Sequence, residues 1–598
     1  MATLAIPARL AHCVAFVSEA RRPLHIVRRA VVTAQLVALE GLNPVLARAY
    51  ASRGIERREQ IGPGLEQLLP VGSLESVEAA VALLIQHRDR GGRILVIGDF
   101  DADGATSTAL IVRALTAWQF PSVDFLVPNR FEFGYGLTPE IVAIAVTREP
   151  TLIVTVDNGI SSVAGVAAAR AAGIDVLITD HHLPGAQLPV ANVIVNPNLP
   201  AARFGSRALA GVGVAFYVMA ALKRELDQRA AQAGAAPPGP GIAEWLDLVA
   251  LGTVADVVPL DANNRLLVAQ GLRRIRAGRC TPGVRALLEV GARSLATVIA
   301  SDLGFAAGPR LNAAGRLDDM TLGIRCLLAD DLVEARALAA RLDLLNAERR
   351  AIEARMQEQA IAAVRQISAD VTGLATRFGV CLYDANWHQG VVGLVAGRIK
   401  DRLRRPVVAF ADAGAGQLRG SARSVPGIHI RDVFDAMAAR DPGLIERFGG
   451  HAMAAGLTLE RSRLDAFARA FDAEVSRHQD NAHLGDRIET DGELDVAEIS
   501  LTTAEAVREG GPWGQAFPEP SFDGQFRIRR TRIVGEKHLK LWVEPGTSGR
   551  SFDAIAFNYL QGRDVAEPLP ETVRLVYRLD INEYAGERRL QLLVDHVL

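Results

Sequence analysis

The amino-acid sequence predicts an α/β protein: a parallel-sheet domain, a long connector helix, a second α/β domain and a C-terminal β-barrel. Three observations predict it. Five short apolar runs alternate with alanine-rich helical segments between Arg93 and Val195. A stretch rich in Ala, Leu, Arg and Glu then spans about Leu332 to Ile367. Beyond a polar break near Gln479–Arg487, apolar residues alternate with arginine in a further set of short runs.

Residues 1–74 read as a basic, helical N-terminal extension, with turn residues at Gly54, Gly62, Pro63 and Gly64. From Leu74 to Arg88, the apolar positions Val77, Ala80, Val81, Leu84 and Ile85 recur at helical spacing. The runs Arg93–Phe100, Val123–Val127, Thr151–Val156, Asp175–Thr179 and Asn192–Val195 each have the length of a buried strand. Their alternation with helical segments argues for a parallel sheet covered on both faces, in a domain over residues 75–330. Such sheets bind ligands at the carboxyl ends of their strands. The segment Ala233–Gly241 is a flexible excursion. The Leu332–Ile367 pattern is too charged for a core helix and serves as a connector over 331–370, ahead of a second α/β domain over 371–478. The runs Phe526–Val534, His538–Val543, Ala554–Phe557, Val573–Asn582 and Leu590–Val594 fit a half-exposed antiparallel sheet. Five such strands within 485–598 suit a small barrel such as an OB-fold.

Composition narrows the class without naming the chemistry. The 598 residues carry 66 Lys and Arg against 68 Asp and Glu, a net charge of -2. That balance excludes a general polycation but leaves room for a local basic groove. The four cysteines are far apart with no CxxC pair, which excludes a disulfide scaffold or thiolate zinc site and fits a reducing cytosol. No apolar run reaches the roughly 18–20 residues of a membrane span. Pro7, Arg9 and His12 interrupt the N-terminal apolar stretch, and Arg21 and Arg22 follow it, so it does not read as a signal peptide. A cytoplasmic protein with no membrane association is expected.

Four clusters then carry chemistry. Asp99-Phe100-Asp101-Ala102-Asp103-Gly104 follows the apolar run Ile94–Ile97 directly. Three carboxylates in five residues repel one another unless a cation neutralises them, and a divalent metal does so. An acidic helix-capping turn is the alternative for this motif alone. Asp157-Asn158-Gly159 repeats the arrangement after Val154–Val156, and Asp180-His181-His182 follows Leu177–Thr179. Neutral imidazoles are favoured metal ligands, and an adjacent carboxylate orients them. Leu251–Ala255 leads into Asp256 and reads as a fourth strand end. Together these clusters supply Asp101, Asp103, Asp157, His181 and Asp256. An oxygen-rich set with imidazole suits two Mn²⁺ or Mg²⁺ ions, the usual apparatus for phosphoryl hydrolysis. No Walker loop is present, so a nucleoside triphosphate is not an expected fuel.

With these motifs in this order, the sequence resembles the DHH phosphoesterase superfamily. Further motifs place the resemblance, over about residues 75–595, with its single-strand-specific 5′→3′ DNA exonucleases. They are Gly308–Arg316, Trp387–Gly393, Gly420–Ser424 and Gly449–Gly456. The resemblance implies a catalytic DHH domain, a connector helix, a DHHA1 domain and an OB-fold that grips single-stranded DNA. It implies that Asp101, Asp103, Asp157, His181 and Asp256 hold two metals, that His182 contacts the scissile phosphate, and that Asp180 supports from behind. Asp99 is expected to brace the turn. Some relatives have a metal-binding histidine where Ile97 stands here, which leaves one ion more reliant on water.

The remaining motifs make sense as a substrate clamp. Arg130 and Tyr135 offer a phosphate fork and a stacking ring. Ser421 and Arg423, two apart on an extended segment, project to one face for a terminal phosphate. Gly449, Gly450 and His451 allow close approach of phosphate. Arg310, Asn312, Arg316 and His388 complete the candidate substrate contacts, with interdomain salt bridges as the alternative for both arginines. Trp542, among Arg527, Arg529, Arg530, Arg532, Lys537 and Lys540, is the candidate base platform of the barrel; a charged outer face is the alternative.

The expected activity is processive exodeoxyribonuclease hydrolysis of single-stranded DNA to 5′-mononucleotides, in DNA recombination and repair. A single-strand-binding protein, a helicase and a monomeric state are implied by the resemblance. A phosphoesterase for short oligonucleotides or cyclic dinucleotides is one rival, disfavoured by the extra barrel. A noncatalytic DNA-binding scaffold is another, disfavoured by the intact ligand set.

Overall fold

In the computed structural model, residues 24–62, 64–128, 136–185, 187–369, 377–450, 452–478, 487–546, 548–560, 569–584 and 587–598 are described. They divide into two compact units. One joins Arg29–Asn346 to Asp491–Leu598, and the other joins the residues up to Arg28 to Ala347–Thr490.

The first strand, β1 (His25–Arg28), belongs to the second of these units, where the sequence pattern gives only helix. Within the first unit, the five expected runs become β2 (Arg93–Ile97), β3 (Ser122–Leu126), β4 (Leu152–Val156), β5 (Asp175–Thr179) and β6 (Val193–Val195). They form one parallel sheet in the order β3-β2-β4-β5-β6. Successive residues of β2 serve opposite cores. Ile94 and Val96 pack into the large core, whereas Leu95 and Ile97 pack with Ile141, Val166 and Ile178 on the other face. Burial on both faces explains why these strands read as unbroken apolar runs. Because β2 lies between β3 and β4, the chain leaves it in opposite directions on its two sides. That reversal is the switch point where such sheets place ligands.

Asp256 departs from expectation. It follows no strand; Leu246–Ala255 is a helix and Asp256 is its C-cap residue. Eight of its ten residues are buried, so it is apolar nearly all round and shows no helical stripe to distinguish it from a strand.

The connector is a single helix, Leu332–Ala369, and the division between the units falls inside it. The second unit contains β7 (Val380–Tyr383), β8 (Val407–Gly414), β9 (Gln417–Arg423), β10 (Arg447–Gly450) and β11 (Ala454–Glu460), in the order β10-β11-β9-β8-β7. A separate pair joins β1 in parallel to β12 (Arg487–Thr490).

The C-terminal runs form β13 (Phe522–Val534), β14 (His538–Pro545), β15 (Phe552–Ala556), β16 (Thr572–Tyr584) and β17 (Glu587–Val597). They close into a barrel ordered β13-β14-β15-β17-β16 around Phe522, Phe526, Leu541, Leu575 and Tyr577. The barrel is fastened to the sheet-bearing part of its unit by residues of the N-terminal extension. The Pro44–Ala51 helix, capped by Asn43, places Tyr50 against Trp513 and Phe517, and the Tyr50 hydroxyl donates to Gly510 O at 2.7 Å. Beside it, Arg53 grips both oxygens of Asp491 at 2.6 and 2.9 Å, and Arg29, Ser52 and the Ser521 amide complete the carboxylate's shell.

The Arg53 and Asp491 side chains are only 3% and 2% exposed, so losing one strands the other in the interior. Asp491→Ala is expected to cost about 3–5 kcal/mol of unfolding free energy. Chemical denaturation measures it, and a loss below about 1 kcal/mol would show that Asp491 is not a structural anchor.

Candidate metal centre

Every acidic and imidazole motif of the parallel-sheet part ends at the switch point. Asp99, Asp101 and Asp103 follow β2, Asp157 follows β4, and Asp180, His181 and His182 follow β5. Asp256 arrives from the helix described above.

Local hydrogen bonding dictates each position. Asp101 caps the Ala102–Ala117 helix, accepting from the Asp103 and Gly104 amides at 3.0 Å each. Asp103 projects from the first turn of that helix to the start of another, Gly211–Gln232, where it accepts from Gly211 N at 2.6 Å and Val212 N at 3.0 Å. A helix N-terminus supplies both unpaired amides and positive potential, which makes a fully buried carboxylate tolerable there. Gly211 also lets this helix start lie against Asp157, because a Cβ at 211 would stand 2.7 Å from that of Asp157.

Asp157 occupies the left-handed region at φ 59. Its turn is pinned by Asn158, whose amide donates to Ile97 O and Val156 O, and by Thr155, whose hydroxyl donates to Asn158 O. Asp180 accepts from the amides of Ile160, His181 and His182 and from His182 Nδ1 at 2.8 Å. Asn196 and Asn198 hold the main chain of the histidine pair by donating to His182 O and His181 O.

The side chains converge. Asp157, His181 and His182 each offer a ligand atom within 4.8 Å of the others, as do Asp103, His181 and Asp256. Asp99, Asp101 and Asp157 form a third such group, so Asp99 comes closer to the cluster than a turn brace requires. His181 Nε2 lies 3.1 Å from Asp157 Oδ1 and 3.5 Å from Asp256 Oδ2. Neither His181 Nε2 nor Asp256 Oδ2 makes a hydrogen bond of normal geometry, although both atoms are buried. Atoms crowded together without bonding one another suit a shared cation.

The electrostatics agree. Burial and the neighbouring Asp256 push Asp103 up to about 7, and burial with Asp101 does the same to Asp256. Burial and the charge of Asp103 raise Asp157 well above the ordinary carboxylate range. Burial, aided by the adjacent His182 charge, lowers His181 and leaves it neutral and able to ligate. Burial disfavours charge on His182 too, but the Asp180 hydrogen bond and charge overcome it and hold that imidazole up at about 9. One histidine is therefore poised as a ligand and its neighbour as a cation.

Other candidate residues are distributed more widely. Asn312 accepts from Ala102 N at 2.8 Å and so braces the acidic helix start. Arg316 is half-buried in the same helix as Asn312. Arg310 is engaged within its own unit by Asp343 at 2.8 Å and by Ala306 O at 2.6 Å. In the second unit, Arg423 Nη1 donates to Ser421 Oγ at 3.0 Å on β9. Both side chains face Gly393, where a Cβ would come within 2.8 Å of each. Gly449, Gly456 and Ser421 are in register across three strands, and a Cβ at either glycine would meet nothing within 4 Å. The chain's own packing does not demand those two glycines; together with Ser421 they leave an open floor. Gly450 differs, since a Cβ there would strike Ala454 O. His388 Nδ1 accepts from Gly390 N at 3.1 Å in the loop ahead of the Val392–Leu403 helix. On the barrel, Arg530 and Lys540 lie over the Trp542 ring at 4.9 and 5.1 Å. Arg527, Arg529 and Lys540 are paired with Glu571, Glu544 and Asp553. Among the described residues, Arg530 and Arg532 make no ion pair. Arg130, Tyr135 and His451 lie outside the described residues.

Gly211, Val212, Asn196 and Asn198 are site residues that the motif reading does not single out. Their signals are a Gly-Val-Gly helix start and an Asn-Pro-Asn turn after β6.

The matched family models follow this architecture. The DHH family N-terminal domain matches residues 93–253, the DHHA1 domain 371–477 and the RecJ OB domain 490–596. Fold and site thus define a phosphoesterase of the DHH class. The chain is 52% identical to the single-stranded-DNA-specific exonuclease RecJ of Dickeya dadantii, over 94% of this chain and 98% of that protein. The crystal structure of Thermus thermophilus RecJ in complex with Mn²⁺ superimposes with a TM-score of 0.74 at 31% identity, covering 96% of this chain and 79% of that one. The same protein in complex with Mg²⁺ gives a TM-score of 0.69 at 29% identity, covering 96% and 78%. The chain belongs to the RecJ family.

Because the site carboxyls titrate higher in the folded chain than the ordinary 3.8, metal-free protein takes up protons on folding. The stability of the metal-free protein is therefore expected to fall as pH rises from about 4 to about 7, and a cation that binds the ionised groups binds more tightly over the same interval. Thermal melting of chelator-treated protein, with and without Mn²⁺, tests this. Equal Mn²⁺-induced shifts at about pH 6 and pH 8 would contradict it.

Proposed function

We propose that this chain is a metal-dependent exonuclease that degrades single-stranded DNA from its 5′ end to 5′-mononucleotides, in recombination and repair. The observation that carries the reading is the convergence of four separate chain segments on one buried acidic and imidazole cluster. Asp101, Asp103, Asp157, His181 and Asp256 would hold two divalent ions, Mn²⁺ or Mg²⁺, with Asp99 in reach. Bound there, the ions lower the pKa of water and neutralise phosphoryl oxygens.

The chain's own groups do the rest. Asp180 holds His182 through Nδ1, so the imidazolium addresses the scissile phosphate through Nε2. Its raised pKa keeps it charged at neutral pH, as a donor to a phosphate oxygen or to the departing 3′ oxygen. Water adds to phosphorus, the bond from phosphorus to the 3′ oxygen breaks, and the phosphate stays on the shortened strand. Each cycle therefore regenerates a 5′-phosphate. Ser421 and Arg423, bonded to each other beside the open glycine floor, provide a site for that terminal group. Gly450, His451, Arg130, Tyr135, Arg310, Asn312, Arg316 and His388 complete our assignment of substrate contacts. Trp542 with Arg530 and Arg532 serves as the barrel's platform.

Our reading places the protein in the cytoplasm as a monomer, with a single-strand-binding protein and a helicase presenting the strand. The three described cysteines are free, which suits a reducing compartment. No helix among the described residues is long and apolar enough to cross a membrane.

Two substitutions test the assignment. Asparagine tolerates the left-handed backbone of Asp157, so Asp157→Asn removes charge without adding strain. Hydrolysis of an end-labelled strand should fall by about a thousandfold or more, while binding in a gel-shift assay persists. Normal turnover would remove Asp157 from the centre. Arg423→Ala should lower kcat/KM for 5′-phosphorylated strands by about tenfold and spare 5′-hydroxyl strands. Equal effects on both ends would exclude a terminal-phosphate role.

A further inference from the structure

Phe305 is 81% exposed, the most exposed large hydrophobic side chain among the described residues. Its backbone explains how it is displayed. The helical run from Ala300 to Leu317 is interrupted by a π-helical turn, Leu303–Ala307, with Gly308 N donating to Leu303 O. Pro309 has no amide to donate to the carbonyl of Phe305, so the α-helical ladder cannot continue through this point. The Arg310 guanidinium donates to Ala306 O at 2.6 Å, which stabilises the widened turn. Leu303, Ala306 and Ala307 are buried while Phe305 is turned outward.

The position of the turn gives the exposure a purpose. A Cβ at Gly304 would be 3.2 Å from Val254, and one at Gly308 would be 3.1 Å from Ala255. The π-turn thus packs on the last turn of the helix that delivers Asp256. On the far side of Asp256, Val257 is also 63% exposed and adopts φ 63, a region that β-branched residues avoid. Two unfavourable backbone conformations therefore flank one site carboxylate, and each presents an apolar side chain to solvent. Burial of either side chain would stabilise the fold. Packing of the chain accounts for neither exposure.

We infer that Phe305 is a substrate-positioning residue: its ring stacks on a nucleobase of the strand next to the metal centre, with Val257 packing along the edge. This rests on the proposed function, since a polynucleotide whose phosphate reaches Asp256 must place an adjoining base close by. Bases have apolar faces of any sequence, and those faces are available only when the base is unpaired. An aromatic ring here thus favours single strands without reading sequence.

The test is a cycle of two changes, Phe305→Ala in the enzyme and a single abasic nucleotide at successive positions from the 5′ end of the strand. Either change alone should lower kcat/KM by about tenfold or more, and the two together should lower it little further at one position. Phe305→Tyr should restore activity and Phe305→Leu should not. Wild-type turnover of the intact strand in the same assay checks the exonuclease reading separately. If that turnover is normal and Phe305→Ala is indistinguishable from wild type, or if its loss multiplies with every abasic position, the stacking role is wrong.

Discussion

Negative charge buried at the carboxyl edge of one sheet is the constraint that organises this protein. Asp103, Asp157 and Asp180 are each at most 1% exposed. The fold meets the cost by three different means. A helix N-terminus receives Asp103, three amides and an imidazole receive Asp180, and Asp157 stands among like charges with its carboxyl raised. Asp103 and Asp157, both raised by burial and by neighbouring carboxylates, call for an outside cation as well. The glycine at position 211, the left-handed turn at Asp157 and the asparagines behind the histidine pair follow from that demand.

Much of this is legible in the chain itself, for physical reasons. Strands buried on both faces leave short apolar runs, so β2 through β6 fall within a few residues of their expected limits. Motif chemistry at strand ends then locates most of the site. Asp256 is reached for the wrong reason, because a helix buried on all sides has the same apolar signature as a strand. The amides of Gly211 and Val212 escape notice because backbone donors carry no side-chain signal. Phe305 escapes it too, because its exposure comes from a π-turn, and a π-turn leaves no period in the sequence.

The basic residues of the barrel illustrate a different limit. Alternation along β13 implies an arginine-rich face, but several of those charges are answered by acids on adjacent strands and loops. Charge count therefore overstates the field available to an anion. What remains is local, with Arg530 over Trp542 and Arg532 near it in sequence. Such a surface offers an aromatic face with only modest electrostatic help, less than the arginine count implies.

The catalytic unit is assembled from two stretches, Arg29–Asn346 and Asp491–Leu598, with the other unit's residues 347–490 running between them. Synthesis proceeds from the amino end, so the sheet and its acidic edge emerge long before the C-terminal stretch that Tyr50 and Arg53 are placed to receive. Those receiving side chains stay uncovered while the intervening stretch is translated. A nascent chain stalled before its last hundred or so residues would carry a complete set of candidate ligands on an unfinished support.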